Sequence, residues 1–178
     1  MHAHRKIVIT GGPGTGKTSI IDHLKSQGHF CLAEISREVI LAARQQGIEQ
    51  LFLTDPLLFS QKLLEGRIAQ YEQVEKEQKT IFFDRGIPDV VAYMDYFKTS
   101  YPEHFNEACR NHPYDTLFLL PPWKEIYCSD NERYENFEQA KDIHNALKET
   151  YQSFGYTPIE VPTDTVKNRA NFIISQLK

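Results

Sequence analysis

Eight consecutive residues, Gly11-Gly12-Pro13-Gly14-Thr15-Gly16-Lys17-Thr18, satisfy the spacing GxxxxGK[ST]. Glycines at these offsets let successive backbone N–H groups curl around phosphate oxygens, and a helix that follows turns its positive N-terminus toward the same anion. Gly12, Pro13, Gly14, Thr15, Gly16, Lys17, Thr18 and Ser19 are therefore the candidate nucleotide-binding residues. Lys17 can meet the β and γ phosphates as a mobile charge, Thr18 can offer its hydroxyl to Mg2+, and Ser19 is a secondary contact. A turn that only links a strand to a helix has no need of Lys-Thr at this offset. The chemistry implied is binding of ATP or GTP with Mg2+.

A carboxylate must complete such a metal site. Asp84 closes the apolar run Ile81 to Phe83, as the acid of a Walker B element does, and can hold Mg2+; the plainer reading makes it a helix cap. Arg85 follows where an ATP-hydrolysing motor would place a water-activating Glu, and the DxxG and NKxD signatures of GTPases are absent. An Arg beside the metal acid offers a planar fork to a substrate phosphate, carboxylate or hydroxyl; its alternative is a structural ion pair.

Four further residues are candidates for an acceptor site. Glu34 can orient or deprotonate an acceptor hydroxyl and Arg37 can bind its phosphate, unless both only decorate a solvated helix start. Asp89 and Tyr93, one helical turn apart, can fix a sugar hydroxyl and stack on a base, with capping and packing as the alternatives. Asp130-Asn131-Glu132-Arg133 suits a mobile lid, about residues 124–140, with Arg133 closing on the transferred group. Seven scattered His form no recognisable metal pattern.

The elements that must position these residues alternate. Strands are predicted over Lys6–Thr10, Phe30–Ala33, Thr80–Phe83, Thr116–Leu120 and Thr157–Val161, the last at an edge because it contains Pro158. Helices are predicted from the Gly-rich loop to Gln27, over Ser36–Gln46, from a Thr54 or Asp55 cap toward Glu75, and from Pro88 to about Phe97. Two more follow, over Glu135–Phe154 and after a Thr163 or Asp164 cap. Gly66 should weaken the long third helix. Alternation of this kind predicts an α/β fold with a parallel sheet, helices on both faces and ligands beyond the strands' carboxyl ends.

Composition narrows the class. With 178 residues, 40% hydrophobic and 25% charged, one globular domain over 1–178 is expected, with no room for an appended helical domain. A net charge of −4 gives no general attraction to a polynucleotide, so a nucleic-acid-processing ATPase is disfavoured. No apolar stretch approaches the roughly 20 residues of a membrane span. Three dispersed Cys suit a reducing compartment, and the expected location is cytoplasmic.

In order along the chain, the Gly-rich loop, Glu34-Ile35-Ser36-Arg37-Glu38, Phe83-Asp84-Arg85-Gly86 with Pro88-Asp89, Pro122-Trp123, Asp130 to Arg133, and Val166 to Arg169 resemble the NadR-like AAA-type P-loop ATPases. That family is related in fold to nucleoside and nucleotide kinases. The resemblance implies a three-layer P-loop NTPase fold with five parallel strands in order 2-3-1-4-5 and a short lid. It also implies Glu34 and Arg37 at the acceptor, Asp84 at the metal, Arg85 near the phosphates, Arg133 in the lid and Arg169 toward the adenine.

The expected function is transfer of the ATP γ-phosphoryl group to a nucleoside, nucleotide or pyridine nucleoside, with Lys17, Glu34, Asp84 and Arg133 as the catalytic set. The alternative is a nucleotide-dependent switch, on ATP or GTP, that acts on a protein or lipid partner.

Overall fold

Ile7, Val8 and Ile9, in the middle of strand β1 (Arg5–Gly11), have no exposure to solvent. Successive side chains of a strand point to opposite faces, so three apolar neighbours require cover on both sides. The computed structural model describes residues 4–77, 79–127 and 136–177 and supplies that cover. β2 (Phe30–Leu32), β3 (Thr80–Asp84), β4 (Thr116–Leu120) and β5 (Ile159–Glu160) join β1 in a parallel sheet of order β2-β3-β1-β4-β5.

Ile7, Ile9, Phe82 and Phe118 face α1 (Lys17–Ser26) and α8 (Val166–Ser175), where Ile20, Leu24, Ala170 and Ile173 complete one core. Val8, Phe83, Leu117 and Leu119 face the larger core, built from α2 (Ser36–Gln45), α4 (Pro56–Gln73), α5 (Pro88–Tyr96), α6 (His104–Asn111) and α7 (Phe137–Ser153). Each fully buried aliphatic side chain contributes about 2 kcal/mol of transfer free energy.

Asp55 caps α4, its carboxylate accepting the Leu58 N–H at 3.0 Å, and Pro56 occupies the first helical position. α7 starts later than Glu135, because Asn136 and Gln139 form a reciprocal capping box. α8 also starts later than expected: Thr165 is its cap, while Asp164 accepts from the Thr165 N–H and the Asn168 amide. β5 is only two residues long, an edge strand starting just after Pro158. Two helices escaped prediction, α6 and the four-residue α3 (Leu51–Thr54). α6 is short and polar-flanked, with an apolar stripe of only Phe105, Ala108 and Cys109.

Gly66 is a packing requirement. A Cβ there would lie 2.6 Å from Ile35 Cγ2, so α4 passes the start of α2 at a distance only glycine allows. Among the described residues no helix is long and apolar enough to cross a membrane.

Candidate functional site

β1, β2 and β3 end on one rim. The loop after β1 passes Gly14 and Gly16 with φ of +69° and +79°, left-handed conformations that cost other L-residues about 1–2 kcal/mol. Gly12 lies against the α7 backbone, Pro13 is half-buried, and the buried Thr15 hydroxyl donates to the Gly12 carbonyl at 3.0 Å. No side chain caps α1, so its leading amides stay open to an anion. Thr18 and Ser19 are exposed on its first turn.

Lys17 is 9% exposed and its ammonium contacts the Asp84 carboxylate at the end of β3. Burial, joined by Arg85, lowers the Lys17 pKa, while Asp84 and Glu34 oppose that shift. Phosphate cradle and candidate metal acid are thus in direct contact.

Glu34, two residues beyond β2, stands between two arginines. Its Oε1 lies 3.0 Å from Arg67 Nη2 and its Oε2 lies 2.6 Å from Arg85 Nε. Burial by itself would raise its pKa, but Arg67, Arg85 and Lys17 outweigh that and bring it to about 2. A carboxylate so acidic accepts hydrogen bonds well and takes up a proton poorly.

Arg85 has φ +71°, a conformation rare outside glycine, and its amide donates to the Ile9 carbonyl at 3.1 Å. Its guanidinium reaches Glu34, Asp89 at 3.3 Å and the Tyr93 hydroxyl at 3.4 Å. Desolvation works against its charge, yet Tyr93, Glu34 and the two aspartates hold its pKa well above the ordinary value.

Arg67 was not among the sequence candidates. It is 4% exposed on the buried face of α4, and its Nη1 donates to the Gly86 carbonyl at 2.8 Å. The signal was an Arg interrupting the stripe Leu63, Leu64 and Tyr71.

Asp89 sits behind the site rather than in it. It is 1% exposed, and both its oxygens are taken by Thr10, Arg85, Gly86 and Tyr151. Its carboxylate is thus engaged by the protein itself. The structure brings Glu34, Arg85 and Tyr93 together; Arg37 is exposed and has no hydrogen bond or ion pair among the described residues. Arg133 lies outside the described residues, as does most of the expected lid, while residues 137–140 form the first turn of α7.

Arg169 is 1% exposed, donates to the carbonyls of Thr15 at 2.7 Å and Pro162 at 3.0 Å, and has its guanidinium carbon 5.5 Å from the centre of the Trp123 ring. Burial lowers its pKa. A cavity of about 270 Å³ lies here, lined in part by Gly14, Gly16, Ser19, Trp123, Asp164 and Arg169. It adjoins the phosphate loop on the side away from Glu34.

A Gly-rich loop between β1 and α1, an acid ending β3 and the strand order β2-β3-β1-β4-β5 define a P-loop nucleotide-binding fold. A sequence model of one family, described as the AAA domain, matches residues 6–169, and the chain belongs to that family. The chain is 24% identical over 115 residues to a nucleotide-binding protein of Pseudomonas savastanoi pv. phaseolicola; the match covers 63% of this chain and 39% of that relative. Deoxyadenosine kinase from M. mycoides with bound dATP superposes with a TM-score of 0.70 at 19% identity over 98% of this chain and 99% of the other. NadR in complex with NR gives 0.70 at 17% identity over 98% and 51%. Thymidylate kinase from Ehrlichia chaffeensis gives 0.63 at 15% over 99% and 100%. These likenesses concern the fold.

Proposed function

We propose that this chain is a small-molecule kinase that transfers the γ-phosphoryl group of ATP to a hydroxyl of a nucleoside-like acceptor. The observation that carries the reading is Glu34, held between Arg67 and Arg85 on the rim shared with Lys17. Arg67 and Arg85 are balanced there by Glu34 and Asp89. A cluster so neutralised suits an uncharged hydroxyl acceptor better than a phosphate, which calls for spare cations. The likeness to deoxyadenosine kinase and to NadR in complex with NR supports the same acceptor class.

The donor nucleotide lies along the Gly-rich loop with its base toward Trp123 and Arg169. Asp84 and the Thr18 hydroxyl are hard oxygen donors suited to Mg2+, which in phosphate sites uses few protein ligands. The proximity of Lys17 to Asp84 puts the acid beside the phosphate cradle, as that role requires. When bound, Mg2+ draws charge from the phosphates. Lys17 neutralises the γ-phosphoryl group, Arg85 stays with Glu34 at the acceptor, and Arg133 keeps its sequence-based role in the lid.

The acceptor oxygen bonds to the γ phosphorus as the bond to the β–γ bridging oxygen breaks, leaving ADP. Glu34 orients the hydroxyl by accepting its hydrogen bond. A loose phosphoryl-transfer transition state needs no stronger base: the acceptor proton, strongly acidic once its oxygen is bonded to phosphorus, passes along that hydrogen bond to Glu34 and on to water.

Product-resolved mass spectrometry with Mg-ATP and a panel of nucleosides, nucleotides and ribosylnicotinamide tests this, with Lys17→Ala as control. A phosphorylated nucleoside absent from the control is the expected result. Tight nucleotide binding with no phosphorylated acceptor would overturn it in favour of a nucleotide-dependent binding module.

A further inference from the structure

The buried polar groups do not end at Glu34 and Arg85. Asp89 Oδ1 accepts from the Thr10 hydroxyl and from Arg85 Nη1, and Asp89 Oδ2 accepts from the Gly86 N–H at 2.9 Å and the Tyr151 hydroxyl at 2.5 Å. The Arg85 guanidinium and the Gly86 amide can only donate, and the two hydroxyls donate to the same carboxylate. Tyr151, fully buried, arrives from the last turns of α7 and is distant from Asp89 in sequence. Burial and the Asp89 charge keep its phenol protonated, and therefore a donor, far above neutral pH.

Asp89 thereby grips two parts of one strained turn, the Arg85 guanidinium and the amide after it. Arg85 holds its φ of +71° between that grip and the Ile9 carbonyl. Tyr151 fixes the opposite side of the Asp89 carboxylate and packs on the same turn, because a Cβ on Gly86 would lie 2.6 Å from its hydroxyl. We infer that Tyr151, acting through Asp89, is a positioning residue for Arg85 in the acceptor site.

The same helix reaches the phosphate side. A Cβ on Gly12 would lie 3.3 Å from the Ala140 carbonyl and 3.5 Å from Ile143. α7 thus touches the phosphate loop near its start and fixes the Arg85 turn near its end, setting the spacing between donor and acceptor sites. A pure packing role would need a ring at position 151 and no hydroxyl; the hydroxyl is what Asp89 uses.

The inference rests on the kinase reading and is tested with the whole chain. Tyr151→Phe keeps the ring and removes only the donor. Mg-ATP turnover by this variant with the acceptor that the wild-type chain phosphorylates is expected to fall about 10- to 100-fold in kcat, the scale of a modest misplacement, with nucleotide affinity unchanged. In an Arg85→Ala background the same substitution should cost no further activity, since the two act through one group. Equal losses in both backgrounds, or a lowered Tm with unchanged kcat, would overturn the inference. If the wild-type chain phosphorylates no acceptor, the kinase reading fails separately, and a crystal structure of Tyr151→Phe decides the positioning role. Arg85 displaced from Glu34 and Asp89 supports it, and Arg85 unmoved overturns it.

Discussion

The Lys17 ammonium is paired with the Asp84 carboxylate, so the two groups proposed to serve phosphate and metal neutralise each other. A nucleotide that draws Lys17 away leaves Asp84 as a buried, unpaired anion, a state that costs several kcal/mol unless a cation replaces Lys17. Nucleotide and Mg2+ should therefore bind as a pair, each weakly alone.

Asp84→Asn separates the two partners. In the presence of Mg2+ it should weaken ATP binding by about 10- to 100-fold, the scale of one lost charge-assisted interaction. In EDTA it should leave affinity unchanged or improve it, since Lys17 is freed. Calorimetric titrations in both buffers check this, and equal losses would remove Asp84 from the metal site.

Glu34 makes stability depend on acid. Its pKa falls from 4.5 to about 2 on folding, so its contribution is present above about pH 4.5 and is lost as pH drops toward 2. The shift corresponds to about 3 kcal/mol at neutral pH. Urea unfolding at stepped pH should show a slope between pH 4.5 and 2 that Glu34→Gln flattens. The proposed kinase activity should show no inflection from Glu34 between pH 5 and 8, because the group stays ionised throughout.

Arg67→Met should destabilise the fold by about 2–4 kcal/mol, because it takes one of the two cations from a buried Glu34 and also removes the donor to the Gly86 carbonyl. Adding Glu34→Gln should recover part of the loss, a non-additivity readable in chemical denaturation of the double variant. Strict additivity would mean that the ion pair carries no coupling.

Legibility in the sequence followed the range of the interaction. The phosphate loop is eight contiguous residues whose spacing itself carries the geometry, and Asp84 adjoins an apolar strand, so both could be singled out without knowing the fold. Arg67 meets Glu34 from 33 residues away, and Tyr151 meets Asp89 from 62, through helix packing that no local pattern encodes. Asp89 looked available because one helical turn separates it from Tyr93; what buries it comes from α7. Gly66 looked like a defect by helix propensity because Ile35 approaches it only in three dimensions.

Gly66→Ala sets those two effects against each other. Propensity alone predicts a gain of about 1 kcal/mol in a helix interior. Contact with Ile35 at 2.6 Å predicts a larger loss of about 1–3 kcal/mol, so the variant should melt earlier than wild type. Ile35→Ala should remove the clash and reverse the sign of Gly66→Ala in that background. A higher Tm for Gly66→Ala alone would show that α2 gives way freely.

Trp123 is the chain's one tryptophan and lines the cavity beside the phosphate loop, so its fluorescence reports on that cavity alone. A base entering between Trp123 and the loop stacks on the indole or displaces Arg169 from it, and either event changes the emission. Mg-ATP should therefore alter Trp123 fluorescence with a saturable dependence. Inorganic triphosphate should compete for the loop yet leave the emission nearly unchanged, because it carries no base. Trp123→Phe should abolish the signal while keeping most of the ATP affinity. Equal responses to ATP and triphosphate would place the base elsewhere and leave the cavity a by-product of loop packing.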